Sequence, residues 1–293
     1  MQVYNNGTSY EDQMRLDGKV IIVTGAGRGL GAGIARGLAY AGSCVTIVDI
    51  NTDEMQQTTK DVNQYGNESL SIVADVRDLD DMENAVNQTE NKWGKLDAVI
   101  CNAATMPLIS FENTSSEIWK GILESNLTGV YNTIKASWDL LKRDGGGHCV
   151  SIASRASLLG FVNEVAYCAS KHALEGFTKA LAMESEVQNI AVNTMGPGKH
   201  IKPTSVTRKE AEAMSDAEQS KWTDPIHLAP AFVWLISQPP SKFTGLRFDA
   251  GKIADTISVE GYEFDFAPEK TTSYVQDLLE RLTQRQKWTK IES

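Results

Sequence analysis

The stretch KVIIVTGAGRGLG, residues 19–31, decides the fold. Six residues dominated by apolar side chains run straight into a segment with glycine at positions 25, 27, 29 and 31. A short, near-continuous apolar run of this kind reads as a strand covered on both faces, the habit of parallel sheets. Glycines at its end let the backbone turn tightly and approach a bound group closely, with a helix opening behind them. The first N–H groups of such a helix have no partners inside the helix, so they and the helix dipole favour an anion. The strict G-x-G-x-x-G spacing fails, because Leu30 stands five residues after Gly25; the pattern is T-G-x-x-x-G-x-G. A plain strand-to-helix connection is the alternative. Its place after the first apolar strand favours a dinucleotide pyrophosphate held by Gly25, Gly27, Arg28, Gly29, Leu30 and Gly31.

Outward from this stretch, short apolar runs alternate with helical patterns. Strands are predicted over 19–24, 44–48, 70–74, 96–101, 148–152, 190–194 and 246–250. Helices are predicted over about 29–41, 53–65, 79–92, 115–141 and 165–188. Repeated β-α-β units cross over right-handed. The expectation is therefore an α/β fold with a single Rossmann-like, doubly wound parallel sheet of about seven strands and helices on both faces. Residues 1–15 read as a polar N-terminal extension and 16–251 as the dinucleotide-binding catalytic domain. Residues 252–293 read as a C-terminal extension packed on the domain or on a partner subunit. Within it, Val275, Leu278, Leu279 and Leu282 share one face of a helical pattern over 272–288.

The formal net charge of −10 over 293 residues argues against nucleic acid as a partner, since a phosphate backbone demands a basic surface. No apolar run approaches a membrane span, and the N-terminus shows no secretory pattern, so a cytoplasmic protein is expected. The four cysteines, Cys44, Cys101, Cys149 and Cys168, show no paired spacing. Three lie in strand-like runs and read as buried free thiols, and no metal site is expected.

Asp49 ends the second strand, 24 residues after Gly25. A carboxylate there accepts both adenosine ribose hydroxyls of NAD and repels a 2′-phosphate. A strand-end or helix-capping aspartate is the alternative. Arg28 pulls the other way, because a guanidinium beside that ribose suits the 2′-phosphate of NADP. The nearer carboxylate favours NAD, with NADP left open by Arg28.

Tyr167 and Lys171 lie four apart and share one face of a predicted helix. A phenol ordinarily titrates at about 10, and a close ammonium favours its ionised form. The alternative is an aromatic core residue beside a solvated cation. Asn126, with Leu123 three residues before it and Val130 four after, falls in the apolar stripe of its helix. A buried amide there must find partners, either backbone groups or a functional water.

These positions, taken in order, resemble the short-chain dehydrogenase/reductase family over roughly 16–251. The resemblance is carried by Thr24-Gly25-x-x-x-Gly29-x-Gly31, Asp75 after the third strand and Asn102-Ala103-Ala104 after the fourth. It continues through Asn126, Ser154, Tyr167-x-x-x-Lys171, Asn193 and Pro197-Gly198. It implies an NAD(P)-dependent enzyme with Asn126, Ser154, Tyr167 and Lys171 as its catalytic set. Tyr167 would be the general acid/base, and Ser154 would hold the substrate oxygen. Lys171 would lower the Tyr167 pKa and bond the nicotinamide ribose, while Asn126 would hold a water beside Lys171. Asp75 and Val76 correspond to adenine contacts; Asn102, Ala103, Pro197 and Gly198 lie on the cofactor side. Thr105 replaces a common glycine and should narrow the site. The resemblance further implies a homodimer or homotetramer.

The expected reaction passes a hydride between NAD(H) and a small-molecule secondary alcohol or ketone. An NADP-dependent reductase of 3-oxoacyl thioesters shares every motif, and a non-catalytic dinucleotide-binding protein is the reading from another class. Lys199, His200, Lys202, Arg208 and Lys209 form a basic run that either attracts an anionic substrate, with Arg155, or is a solvated lid. Met106, Leu108, Leu158, Leu159 and Phe161 can furnish apolar walls or simply pack.

Overall fold

A computed structural model describes residues 14–202 and 206–266. Its seven strands are β1 (Val20–Thr24), β2 (Cys44–Asp49), β3 (Ser69–Val73), β4 (Ala98–Cys101), β5 (Gly147–Ile152), β6 (Ile190–Gly196) and β7 (Arg247–Asp249). They form one sheet in the order β3-β2-β1-β4-β5-β6-β7, with every pair parallel. The chain starts in the middle, winds out to β3, then crosses β1 to continue from β4. That reversal leaves a crevice at the carboxyl ends of β1 and β4, where open α/β sheets bind ligands.

The period of two along β1 separates two cores. Ile21 and Val23 face one layer. It is built from helices α1 (Gly29–Tyr40) and α2 (Thr52–Asn63), and it supplies Ile34, Leu38 and Met55. Val20 and Ile22 face the other layer, where α3 (Leu79–Trp93) supplies Met82 and Val86. Helices α5 (Gly129–Arg143) and α6 (Val165–Ser185) complete that second layer, and α4 (Ser116–Leu123) packs on α6. The short helices α7 (Arg208–Glu212) and α8 (Asp216–Gln219) fill the polar segment, each opened by a capping box. Then α9 (Ala229–Ser237) and α10 (Ala250–Glu260) return to the first core.

Two sequence expectations are corrected. The single helix over 115–141 is broken by a π-helical turn at Glu124–Thr128, where the Gly129 N–H reaches back five residues to the Glu124 carbonyl. Gly129 leaves room for Val76 there: a Cβ would stand 2.6 Å from the valine Cγ2. The last strand stops at Asp249 rather than 250, because the Asp249 carboxylate accepts the Lys252 N–H and so starts α10. That helix was not anticipated. Its Ile253 and Ile257 are buried, and beyond it Tyr262, Phe264 and Phe266 join a cluster in which Trp234 and Phe264 stack at 5.0 Å. The first core therefore continues to residue 266. The helix predicted over 272–288 and nearly all of the N-terminal extension lie outside the described residues. Among the described residues no helix is long and apolar enough to cross a membrane.

Candidate active site

The glycine segment makes a tight cradle. Gly25 has φ +62°, open to few residues other than glycine, and a Cβ on it would stand 2.7 Å from the Ala103 Cα. No side chain caps the first turn of α1, so its N–H groups face the crevice with no side-chain partner. Such a turn fits a pyrophosphate, and the residues around it are held to serve it. Asn102 donates its amide to the carbonyls of Thr24 (3.0 Å) and Gly25 (2.9 Å). The Thr24 hydroxyl oxygen accepts the N–H groups of Asn102 and Ala103 and so joins the ends of β1 and β4. Thr24 escaped the sequence reading except as the first letter of a motif.

Asp49 meets the cradle from β2. One carboxylate oxygen accepts the Gly27 N–H at 2.7 Å and the other the Asn51 N–H at 2.9 Å. The carboxylate thus stands against the glycine turn, where an adenosine ribose would lie. Arg28 is ion-paired to Glu54 at 3.0 Å, a partner the sequence reading did not consider. Asp75 is bound to Arg77, whose guanidinium holds the carboxyl below its usual value. Val76 is buried, and its carbonyl accepts from the amide of Asn132 at 2.9 Å. Asn132 carries the same signal as Asn126, a polar residue in the apolar stripe of a helix, and was missed.

Ser154, Tyr167 and Lys171 come together where β5 ends and α6 begins. Ser154 caps a turn: its hydroxyl oxygen accepts the Ala156 N–H at 3.2 Å, leaving its proton free to reach the phenol of Tyr167. Lys171 is buried and donates to the Ile152 carbonyl at 2.7 Å. Its ammonium lies 5.7 Å from the centre of the Tyr167 ring. Burial pushes Lys171 down to about 8 and raises Tyr167 above its ordinary value, while the Ser154 bond pulls the phenol back down. Desolvation of the ring is the largest influence on the phenol, and the Lys171 ammonium is bonded to a carbonyl.

Asn126 is fully buried and bonded to the loop after β4. Its side-chain oxygen accepts the Thr105 N–H at 2.8 Å, and its amide donates to the Thr105 carbonyl and the Ser170 hydroxyl at 2.9 and 3.2 Å. It ties α6 to the loop after β4 and keeps Thr105 fixed at the crevice. Pro197 and Gly198 follow β6; the Pro197 carbonyl accepts the Gly251 N–H at 3.0 Å, which pins this loop to the start of α10. Cys101 and Cys149 are buried free thiols, whereas Cys44 is only half-buried because it opens its strand, whose four middle residues are buried. In the basic run, Lys199 pairs with Asp255 and Lys202 donates to the Val206 carbonyl.

Residues 19–215 match the short chain dehydrogenase family. A (−)-trans-carveol dehydrogenase of Rhodococcus erythropolis is 30% identical over 272 residues, covering 81% of this chain and 98% of its own. A cyclohexanol dehydrogenase of an Acinetobacter species is 30% identical over 235 residues, covering 80% of this chain and 94% of its own. Among solved structures, a short-chain type dehydrogenase/reductase of Mycobacterium marinum superposes with a TM-score of 0.72 at 26% identity, covering 81% of this chain and 96% of that one. A carveol dehydrogenase of Mycobacterium avium, solved in complex with NAD, superposes equally well at 24% identity, covering 80% and 97%. With a nucleotide cradle on one side of the crevice and Ser154, Tyr167 and Lys171 on the other, the chain belongs to the short-chain dehydrogenase/reductase family and is an NAD(P)-dependent oxidoreductase.

Proposed function

We propose that the chain is a cytoplasmic, NAD-linked dehydrogenase of apolar secondary alcohols, acting in reverse on the ketones, with Tyr167 as general acid and base. The observation that carries this reading is the meeting of Ser154, Tyr167 and Lys171 at one strand end, facing the glycine cradle across the crevice. A bound nicotinamide dinucleotide supplies the hydride acceptor or donor. In oxidation, Tyr167 as phenolate takes the hydroxyl proton while Ser154 donates to the substrate oxygen and fixes its position. In reduction, the phenol gives that proton to the carbonyl oxygen. Lys171 acts through charge, since an ammonium beside the ring favours the phenolate.

The pH dependence follows from treating the phenol and the amine as one coupled pair. The form with phenolate and ammonium is the base-competent one, and burial raises the phenol above its ordinary value. Oxidation should therefore accelerate as pH rises into the alkaline range and reduction should slow, read from kcat profiles in both directions.

Asp49 against the cradle and Arg28 held by Glu54 support NAD over NADP. The apolar stretch following Ser154 supports an apolar substrate: Leu158, Leu159 and Val162 are exposed, and the Ile109 N–H to Asn163 carbonyl bond ties this stretch to the loop that carries Leu108. The engagement of Lys199 and Lys202 weighs against an anionic thioester. Exposed Tyr131 on α5 and Met183 on α6 fit assembly through those helices into a dimer or tetramer. The test is a panel of cyclic secondary alcohols, their ketones and 3-oxoacyl thioesters, run with NAD and NADP in both directions. Turnover of cyclic alcohols with NAD supports the reading. Preference for thioesters with NADP, or cofactor binding without any turnover, overturns it.

A further inference from the structure

A part-buried ion pair behind the site belongs to no motif. Glu175 stands on α6 one turn beyond Lys171, and Arg247 opens β7, the edge strand. Arg247 Nε lies 3.3 Å from Glu175 Oε1, and neither of these buried atoms has any aligned hydrogen-bond partner. The other oxygen of Glu175 accepts the Thr194 hydroxyl at 3.1 Å. The other end of Arg247 leaves this pair altogether: Nη2 donates to the main-chain carbonyl of Ser154 at 3.0 Å. Room for that reach is made by Gly196, where a Cβ would stand 3.1 Å from Nη2.

Two charges in such a place are costly to desolvate, and their mutual attraction does not by itself explain them. What they do is geometric. The carbonyl of Ser154 fixes the backbone that aims its hydroxyl at the phenol, and the only side chain bonded to that carbonyl among the described residues is Arg247. Two residues earlier, the Ile152 carbonyl holds Lys171. Glu175 anchors Arg247 from α6, the helix that also carries Tyr167 and Lys171.

We propose that Glu175 and Arg247 form a positioning pair for the reaction, with Glu175 holding Arg247 and Arg247 setting the direction of Ser154. This rests on the reading of Ser154, Tyr167 and Lys171 as the acid–base centre. Neither residue touches substrate; both act through groups that do.

The test compares Arg247→Met, Glu175→Gln, the double variant and Tyr167→Phe. The readouts are steady-state turnover of an alcohol and its ketone, NADH binding by fluorescence titration, and thermal unfolding. Arg247→Met should lower kcat about tenfold or more while the NADH affinity stays within about twofold, because the cradle on β1 is untouched. The double variant should lose no more than the worse single, since both residues act as one unit and removal of both leaves no orphaned charge. Arg247→Lys should keep the charge pairing with Glu175, and hence the melting temperature, but not the turnover, because an ammonium cannot fork to a carboxylate and a carbonyl. It carries the test if the methionine variant does not fold. Full turnover in the folded arginine variants, kcat losses that multiply in the double, or an NADH affinity that falls in step with kcat overturns the pair while leaving an inactive Tyr167→Phe in place. Turnover by Tyr167→Phe overturns the acid–base centre and the positioning pair with it.

Discussion

The half of the crevice proposed for the nucleotide and the half proposed for catalysis are built from different materials. Around β1 and α1 the groups offered to a ligand are main-chain N–H groups, placed by glycines and by an uncapped helix start. Around β5 and α6 they are side chains, and the frame behind them is held by bonds to distant carbonyls: Lys171 to Ile152, Asn126 to Thr105, Arg247 to Ser154. A site made of backbone fails when volume is added to it. A site made of side chains fails when one polar atom is removed. The halves should therefore respond to opposite kinds of substitution.

The sharpest break is expected in the catalytic half. Tyr167→Phe removes one oxygen and should cut turnover by about a thousandfold, the middle of the range for general acid–base catalysis, with NADH binding unchanged. In the nucleotide half, adding volume is the damaging change. Gly25→Val puts a branched Cβ into the Ala103 backbone at a positive φ, and should weaken NADH binding roughly a hundredfold in titration, about the upper range of an overpacking cost. Asp49→Ser tests the one side chain on which that half depends. Loss of the carboxylate should shift the ratio of kcat/KM for NAD over NADP by about tenfold toward NADP, roughly one lost charge-assisted hydrogen bond. An unchanged ratio would leave Asp49 as a prop for Gly27 and nothing more.

The smallest effect on turnover is expected at the opposite end of β5. His148 is buried there, bonded only through Nε2 to the Gln238 carbonyl, with Nδ1 unpartnered. Burial lowers it to about 4, from an ordinary value of 6.5. Because the unfolded chain takes up the proton first, stability is intact above pH 6.5 and declines as pH falls toward 4, by about 3 kcal/mol for this shift. His148→Gln should flatten that part of the stability curve in denaturant titrations and leave kcat alone.

The same contrast explains what was legible in the sequence. A backbone cradle leaves local marks: an apolar run, glycines at fixed intervals, a carboxylate at the next strand end. Gly25 to Gly31 and Asp49 could be read from spacing, and the parallel sheet followed from the run of apolar strands. Side chains that meet across the sheet leave no interval to read. Thr24 bonds residues 78 and 79 positions away, and Arg247 reaches back 93. The sequence did offer one hint, an arginine at the start of the strand Arg247–Asp249, whose partner on α6 only the fold reveals. Four-residue spacing likewise places Lys171 near the phenol of Tyr167 but does not reveal its bond to the Ile152 carbonyl.

The π turn at Glu124–Thr128 has a consequence for how the long helix divides its labour. One surplus residue in a helical ladder advances everything after it by about 100°, the angular step of a single residue. Upstream, α4 packs on α6, and downstream α5 packs on α3 and the sheet. The turn works as a phase shifter between two gears on one shaft, letting each half present its own stripe to its own neighbour. Removing one residue from it would bring the halves back into step and swing Asn126 away from Thr105, so a length change here should be far more harmful than any single substitution in the same turn.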